Sequence, residues 1–95
     1  MPVDSQYAVV PAGVGNTVVS AKPGTRLGKV EVIGPVGAGT VTLYDNATTN
    51  SGPILFVVPV SAPIGAEYPV EVEVINGIVA TGSSGSPSVN VTYST

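Results

Sequence analysis

Residues 67–82, EYPVEVEVINGIVATG, hold the pattern that decides the fold. Val70, Val72 and Val74 alternate with Glu71, Glu73 and Ile75, a period of two that sends one row of side chains to a core and the other outward. Asn76-Gly77 follows at once. This dipeptide is a strong two-residue hairpin signal, because a type I′ turn needs positive φ at both central positions. The stretch therefore predicts a strand over Glu67–Ile75, a tight turn, and a further short strand over Ile78–Thr81.

Working outward, the same alternation recurs. Val41 and Leu43 alternate with Thr40, Thr42 and Tyr44; Val89, Val91 and Tyr93 alternate with Ser88, Asn90, Thr92 and Ser94. With the turn signals at Lys22-Pro23-Gly24 and Asp45-Asn46, strands are expected near Gln6–Val10, Thr17–Lys22, Arg26–Ile33, Thr40–Asp45, Pro53–Val60, Glu67–Ile75 and Ser88–Ser94. The 12 glycines and 9 prolines leave no room for a helix of ordinary length. Gly82–Ser88 (GSSGSPS) reads as a flexible loop. The whole is expected to be one all-β domain over residues 1–95, a single antiparallel β-sandwich, jelly-roll-like, with about seven to eight strands. Residues 1–10 are a candidate N-terminal arm.

Two details sharpen that expectation. Without an irregularity, Leu27 would share a face with Lys29 and Glu31 while Val30 and Val32 point to the core. A bulge at Gly28 switches the parity and turns Leu27 inward. Ile54-Leu55-Phe56-Val57-Val58 is apolar on both faces. Such a strand is either central and covered twice, or an edge paired with another subunit, and Pro53, Pro59 and Pro63 fence it as gatekeepers.

Charge is scarce. Charged residues make up 9% of the chain, against about 25% in ordinary soluble domains. A mean hydropathy of +0.43 would suit a membrane protein. Yet the longest uncharged stretch, between Asp45 and Glu67, is interrupted by Pro53, Pro59, Pro63 and several Thr, Asn and Ser residues, and cannot form a spanning helix. The N-terminal MPVDSQYAVV has neither a basic n-region nor an apolar h-region, so it does not read as a signal peptide, and synthesis in a cytoplasm is expected.

The chemistry-bearing residues are few. There is no His and no Cys, which removes the commonest general base, the usual triad partner and the thiolate nucleophile. Serines cluster at 82–88 without a G-x-S-x-G or S-x-x-K pattern. Glu71 and Glu73 lie on one face of a strand about 7 Å apart, a spacing open to glycosidase chemistry, but without aromatic neighbours they read as a solvated face. Asp45, Asn46 and Asn50 could offer oxygens to Ca²⁺, although Asx-turn chemistry explains the same residues. The glycosylation sequons at Asn46 and Asn90 read as chance matches in an Asn- and Thr-rich chain. No catalytic residue, metal or cofactor is expected. Lys22, Arg26 and Lys29 are the only basic residues, too few for nucleic-acid binding. They are candidate partner contacts, together with Tyr44, which falls on the face opposite Val41 and Leu43 and can anchor an interface.

The segment Gly39-Thr-Val-Thr-Leu-Tyr-Asp-Asn46 carries a resemblance. Preceded by Leu27-Gly-Lys-Val-Glu-Val32 and followed by Tyr68, Asn76-Gly77-Ile78 and Val89-Asn-Val-Thr-Tyr93, it resembles small capsid decoration (cement) proteins of tailed phages and related head-surface β-sandwich modules. The resemblance spans roughly Arg26 to Thr95. It implies a jelly-roll-like sandwich without cofactor, present on the virion surface as a dimer or trimer and bound to the major capsid protein. It carries no catalytic residues, and it implies neither a nucleic-acid nor a membrane partner. The alternatives in the same fold class are a carbohydrate-binding or adhesin module, built on Tyr44 and the Asp45–Ser51 loop, and a head- or tail-fibre segment.

Overall fold

The computed structural model describes residues 5–35 and 37–95. Eight strands form: β1 (Ser5–Val10), β2 (Gly15–Ser20), β3 (Arg26–Gly34), β4 (Val41–Asp45), β5 (Ile54–Val58), β6 (Glu67–Glu73), β7 (Ile78–Gly82) and β8 (Ser88–Ser94). They make two four-stranded sheets, one ordered β1-β8-β3-β6 and the other β2-β7-β4-β5, with every pairing antiparallel. Each sheet pairs strands that nest around the middle of the chain: β4 with β5, β3 with β6, β2 with β7, β1 with β8. This is the wrapping of a jelly roll. The expected all-β sandwich is what forms.

The core follows from the alternation. Leu27, Val30 and Val32 of β3, with Val89 and Val91 of the neighbouring β8, face Val41 and Leu43 of β4, Val58 of β5, and Ile78 and Ala80 of β7, all fully buried. β-branched residues dominate because their stiff side chains fit a pleated surface at little entropic cost. Phe56 and Tyr68, with ring centroids 5.4 Å apart, close the side of the sandwich where β5 and β6 run.

The bulge at Gly28 is present. On β8, Tyr93 pairs with Leu27 and Thr92 with Lys29, so Gly28 is an extra residue on β3 and the parity switches. Leu27 consequently joins Val30 and Val32 in the core. A Cβ at Gly28 would lie 3.0 Å from the Thr92 carbonyl oxygen, which explains the absence of a side chain there. On the other flank β6 answers with an extra residue of its own, between Pro69 and Val72, where Glu71 adopts φ 51°.

Three expectations need correction and one is extended. Asn76-Gly77 does not turn a hairpin: β6 and β7 lie in different sheets, and the dipeptide carries the chain across the sandwich. Only Gly77 of the pair has positive φ, at 147°, so the type I′ geometry is absent. A Cβ on Gly77 would sit 2.5 Å from the Ser20 carbonyl oxygen, so the glycine serves close backbone approach. Second, the expected short strand after it forms one residue longer, as Ile78–Gly82, and is central between β2 and β4. Its pattern hid this because Val79 is fully buried although it lies outside the main core, opposite Val18 and Tyr44.

Third, the Gly82–Ser88 loop is pinned. The Ser86 hydroxyl donates to the Gly13 carbonyl at 3.0 Å, and the Gly13 amide donates back to Ser86. The Ser83 amide donates to the Thr40 carbonyl, the Thr40 amide to the Ser83 hydroxyl at 2.8 Å, and the Gly39 amide to the Gly85 carbonyl. Glycines at 37, 39 and 82 let these backbones approach. Fourth, the described part of the candidate arm, Ser5–Val10, lies in its own chain's sheet, paired along its length with β8. The rest of that arm, Met1–Asp4, lies outside the described residues.

Candidate interaction surface

The two outer faces of the sandwich differ in charge. Six of the nine charged residues lie on β3 and β6, neighbours in one sheet: Arg26, Lys29, Glu31, Glu67, Glu71 and Glu73. Lys29 donates to Glu67 at 3.1 Å across the two strands, an exposed pair that contributes little stability. The bulges beside it leave a groove of about 370 Å³ lined by Arg26, Gly28, Lys29, Pro69, Glu71 and Tyr93, among others.

The opposite sheet is different. Val41 and Leu43 point inward, so Thr42 and Tyr44 point outward, and the register carries that outward row across all four strands. One level holds Val18, Val79, Tyr44 and Ile54; the next holds Asn16, Thr81, Thr42 and Val57. Among the described residues no charged side chain stands on this face. Asp45, the one acid of these four strands, follows Val41 and Leu43 on the inward row and is buried at the end of β4. Ile54, Val18 and Val57 are 59%, 49% and 42% exposed, which leaves an apolar strip rimmed by Thr and Asn hydroxyl and amide groups. Thr81 donates to the Asn16 side-chain oxygen at 3.0 Å, so part of that rim is already satisfied internally.

The four residues expected to contact a partner do not form one patch. Arg26 and Lys29 share the groove on the charged sheet. Lys22 is exposed in the turn between β2 and β3, where its amide donates to the Ser20 hydroxyl and its carbonyl accepts from Thr25. Tyr44 stands on the uncharged sheet and is half-buried, because Val79 and Ile54 flank it in register. What the single residues did not reveal is the face as a unit. The available signal was the run of strands without outward charge, β2, β4, β5 and β7; only their assembly into one sheet makes it a surface.

The polar residues of the TLYDN segment are structural. The Asp45 carboxylate accepts from the Asn76 amide at 2.8 Å and from the Ile75 amide at 3.2 Å, fixing the crossing from β6 to β7. The Asn46 side-chain oxygen accepts from the Thr48 and Thr49 amides at 2.9 and 3.0 Å, an Asx turn. Those oxygens are thus engaged by backbone, and Asn50 is exposed beside them. Among the described residues no three His, Cys, Asp or Glu side chains gather as metal ligands would. Glu71 and Glu73 are both exposed on the edge strand β6, with no aromatic ring stacked between them.

The fold and this surface define a small jelly-roll sandwich with one charged and one uncharged face. No family model matches the chain, and no curated protein does. A similar solved structure is a chain from Bacillus described in the words "Bacillus endospore appendages form a novel family of disulfide-linked pili", at a TM-score of 0.59 and 14% identity, covering 96% of this chain and 85% of that one. The likeness shows a shared fold. This sequence contains no cysteine with which to form the disulfide link named there.

Proposed function

We propose that this protein is a non-enzymatic structural subunit, a decoration protein that lies on the outer surface of a tailed-phage capsid and reinforces the shell. The observation that carries the reading is the division of the sandwich into a charged face and an uncharged one. Charged side chains hold water strongly, and removing them from it is costly unless each finds a partner. A face of Val, Ile, Tyr and Thr is covered at low cost. The sandwich measures 32 × 29 × 16 Å, so one face offers roughly 900 Å², close to the ~800 Å² per partner of a standard interface. In this reading the β2-β7-β4-β5 sheet meets the major capsid protein, and the β3–β6 charges keep the outer surface wet. The TLYDN-centred resemblance supplies the kind of shell.

The test is direct. Purified protein is mixed with shells of the proposed capsid partner that lack it, and bound copies and shell melting temperature are measured. Stoichiometric binding with a raised melting temperature is expected; no binding at micromolar concentration overturns the reading. A second reading, a subunit of a filamentous appendage, draws on the structural likeness to the pilus chain, which spans nearly the whole of both chains. Electron microscopy of concentrated protein alone separates the two, since only an appendage subunit grows filaments without a shell.

A further inference from the structure

The chain has five asparagines, and the fold holds them differently. Asn16 accepts from the Thr81 hydroxyl, Asn46 is tied into its Asx turn, and Asn90 is half-buried in β8 ahead of the β-branched Val91. Asn50 and Asn76 are exposed, and neither side chain makes a hydrogen bond among the described residues. Asn50 precedes Ser51, whereas Asn76 precedes Gly77. Around Asn76-Gly77 the two ends of the dipeptide are anchored and the middle is free. The Asn76 amide donates to Asp45 at 2.8 Å, and the Gly77 carbonyl accepts from the Asn46 amide at 3.2 Å. Between these anchors the Asn76 carbonyl and the Gly77 amide take no hydrogen bond among the described residues. The dipeptide lies outside both β6 and β7, so no ladder partner occupies the Gly77 nitrogen. Gly77 also lacks the Cβ that shields a backbone nitrogen from the residue before it.

We propose that Asn76 is a site of spontaneous covalent modification, with the Gly77 nitrogen as nucleophile and water as the only co-reactant. The Gly77 nitrogen gives up its proton and bonds to the Asn76 side-chain carbonyl carbon, closing a succinimide ring. The C–N bond of the side-chain amide breaks, and its nitrogen takes up a proton and leaves as ammonia. Water then opens the ring at either carbonyl, which gives aspartate or isoaspartate at position 76. Both products set a new carboxylate beside that of Asp45, and one neutral amide becoming one acid takes the formal net charge from −3 to −4. Isoaspartate also inserts a methylene into the main chain ahead of Gly77. Space is short there: a Cβ on Gly77 would lie 2.5 Å from the Ser20 carbonyl oxygen and 3.0 Å from that of Asn46. The longer backbone therefore displaces the anchors on either side, and the crossing from β6 to β7 loosens as the protein ages.

The test is a time course on the intact protein at mildly alkaline pH. Peptide mass mapping follows each asparagine, and a methyltransferase that labels isoaspartate counts that product. Asn76 is expected to convert about tenfold faster than Asn50, a barrier lower by ~1.4 kcal/mol. Asn50 is the internal control, exposed and unbonded in the same way but followed by serine. Asn76→Gln lengthens an exposed side chain, so it leaves the fold intact, removes the succinimide and is expected to abolish the signal at this position. The converted fraction, separated by its added charge, is expected to unfold at a lower urea midpoint than the unconverted protein. Conversion no faster than at Asn50, or confined to chains unfolded in urea, overturns the site. Conversion of native protein at an unchanged midpoint overturns the loosening of the crossing.

Discussion

Asp45 is a polar residue buried for a structural reason. Its two carboxyl oxygens hold the amides of Ile75 and Asn76 where the chain leaves one sheet for the other. Truncation orphans both amides, so Asp45→Ala is expected to cost about 2–3 kcal/mol in urea unfolding, with Asp45→Asn losing about half as much because one acceptor survives. Gly77, next to that clamp, has φ 147° and no space for a Cβ beside the Ser20 carbonyl. Gly77→Ala should therefore lower stability by about 2 kcal/mol, read as a fall in the urea midpoint at unchanged slope. Both residues stood out in the sequence, for reasons that tertiary structure replaced. Local pattern makes Asp45 a turn former and a calcium candidate, and Gly77 half of a hairpin. Their partners lie about 30 residues away or across the sandwich, at distances that local patterns do not encode.

Among elements, β3 shows how one residue can set the register of a sheet. Deleting Gly28 removes the extra residue opposite β8 and returns Leu27 to the face of Lys29 and Glu31. Exposing a leucine that is now fully buried, and leaving its site empty, should cost about 3 kcal/mol; the lowered melting temperature is the measurement. This bulge was legible, because the misfit between Leu27 and Val30 is written in the spacing of apolar residues. The place of the doubly apolar strand Ile54–Val58 was less so: it is the edge strand β5, whereas Ile78–Gly82 takes the central place as β7. Apolar content on both faces says that a strand is covered twice, and leaves open whether its own chain or another supplies the cover.

At the scale of the whole molecule, the proposed shell-binding role divides by face. Val18 is on the uncharged sheet and half exposed, so Val18→Lys is expected to abolish shell binding while changing stability by no more than about 0.5 kcal/mol. Lys29→Ala, on the charged sheet, should leave binding unchanged within a factor of about two and remove only the exposed pair with Glu67. Because the proposed contact face bears no charged side chain among the described residues, the affinity should vary little between low and high salt, measurable by titrating shells at several ionic strengths.

By itself the sequence determined that the protein is an all-β sandwich with no His or Cys chemistry, that Leu27, Val30, Val32, Val41, Leu43, Val89 and Val91 form its core, and that β3 bulges at Gly28. These follow from spacing, composition and steric limits, which are properties of neighbouring residues along the chain. Tertiary structure alone decided that Asn76-Gly77 crosses between sheets, that the serine loop is pinned, and that the strands without outward charge gather on one side. The physical reason is the jelly-roll wrapping. It brings β2, β4, β5 and β7 into a single sheet, so a face assembled from four separated segments becomes a surface only once the chain has folded.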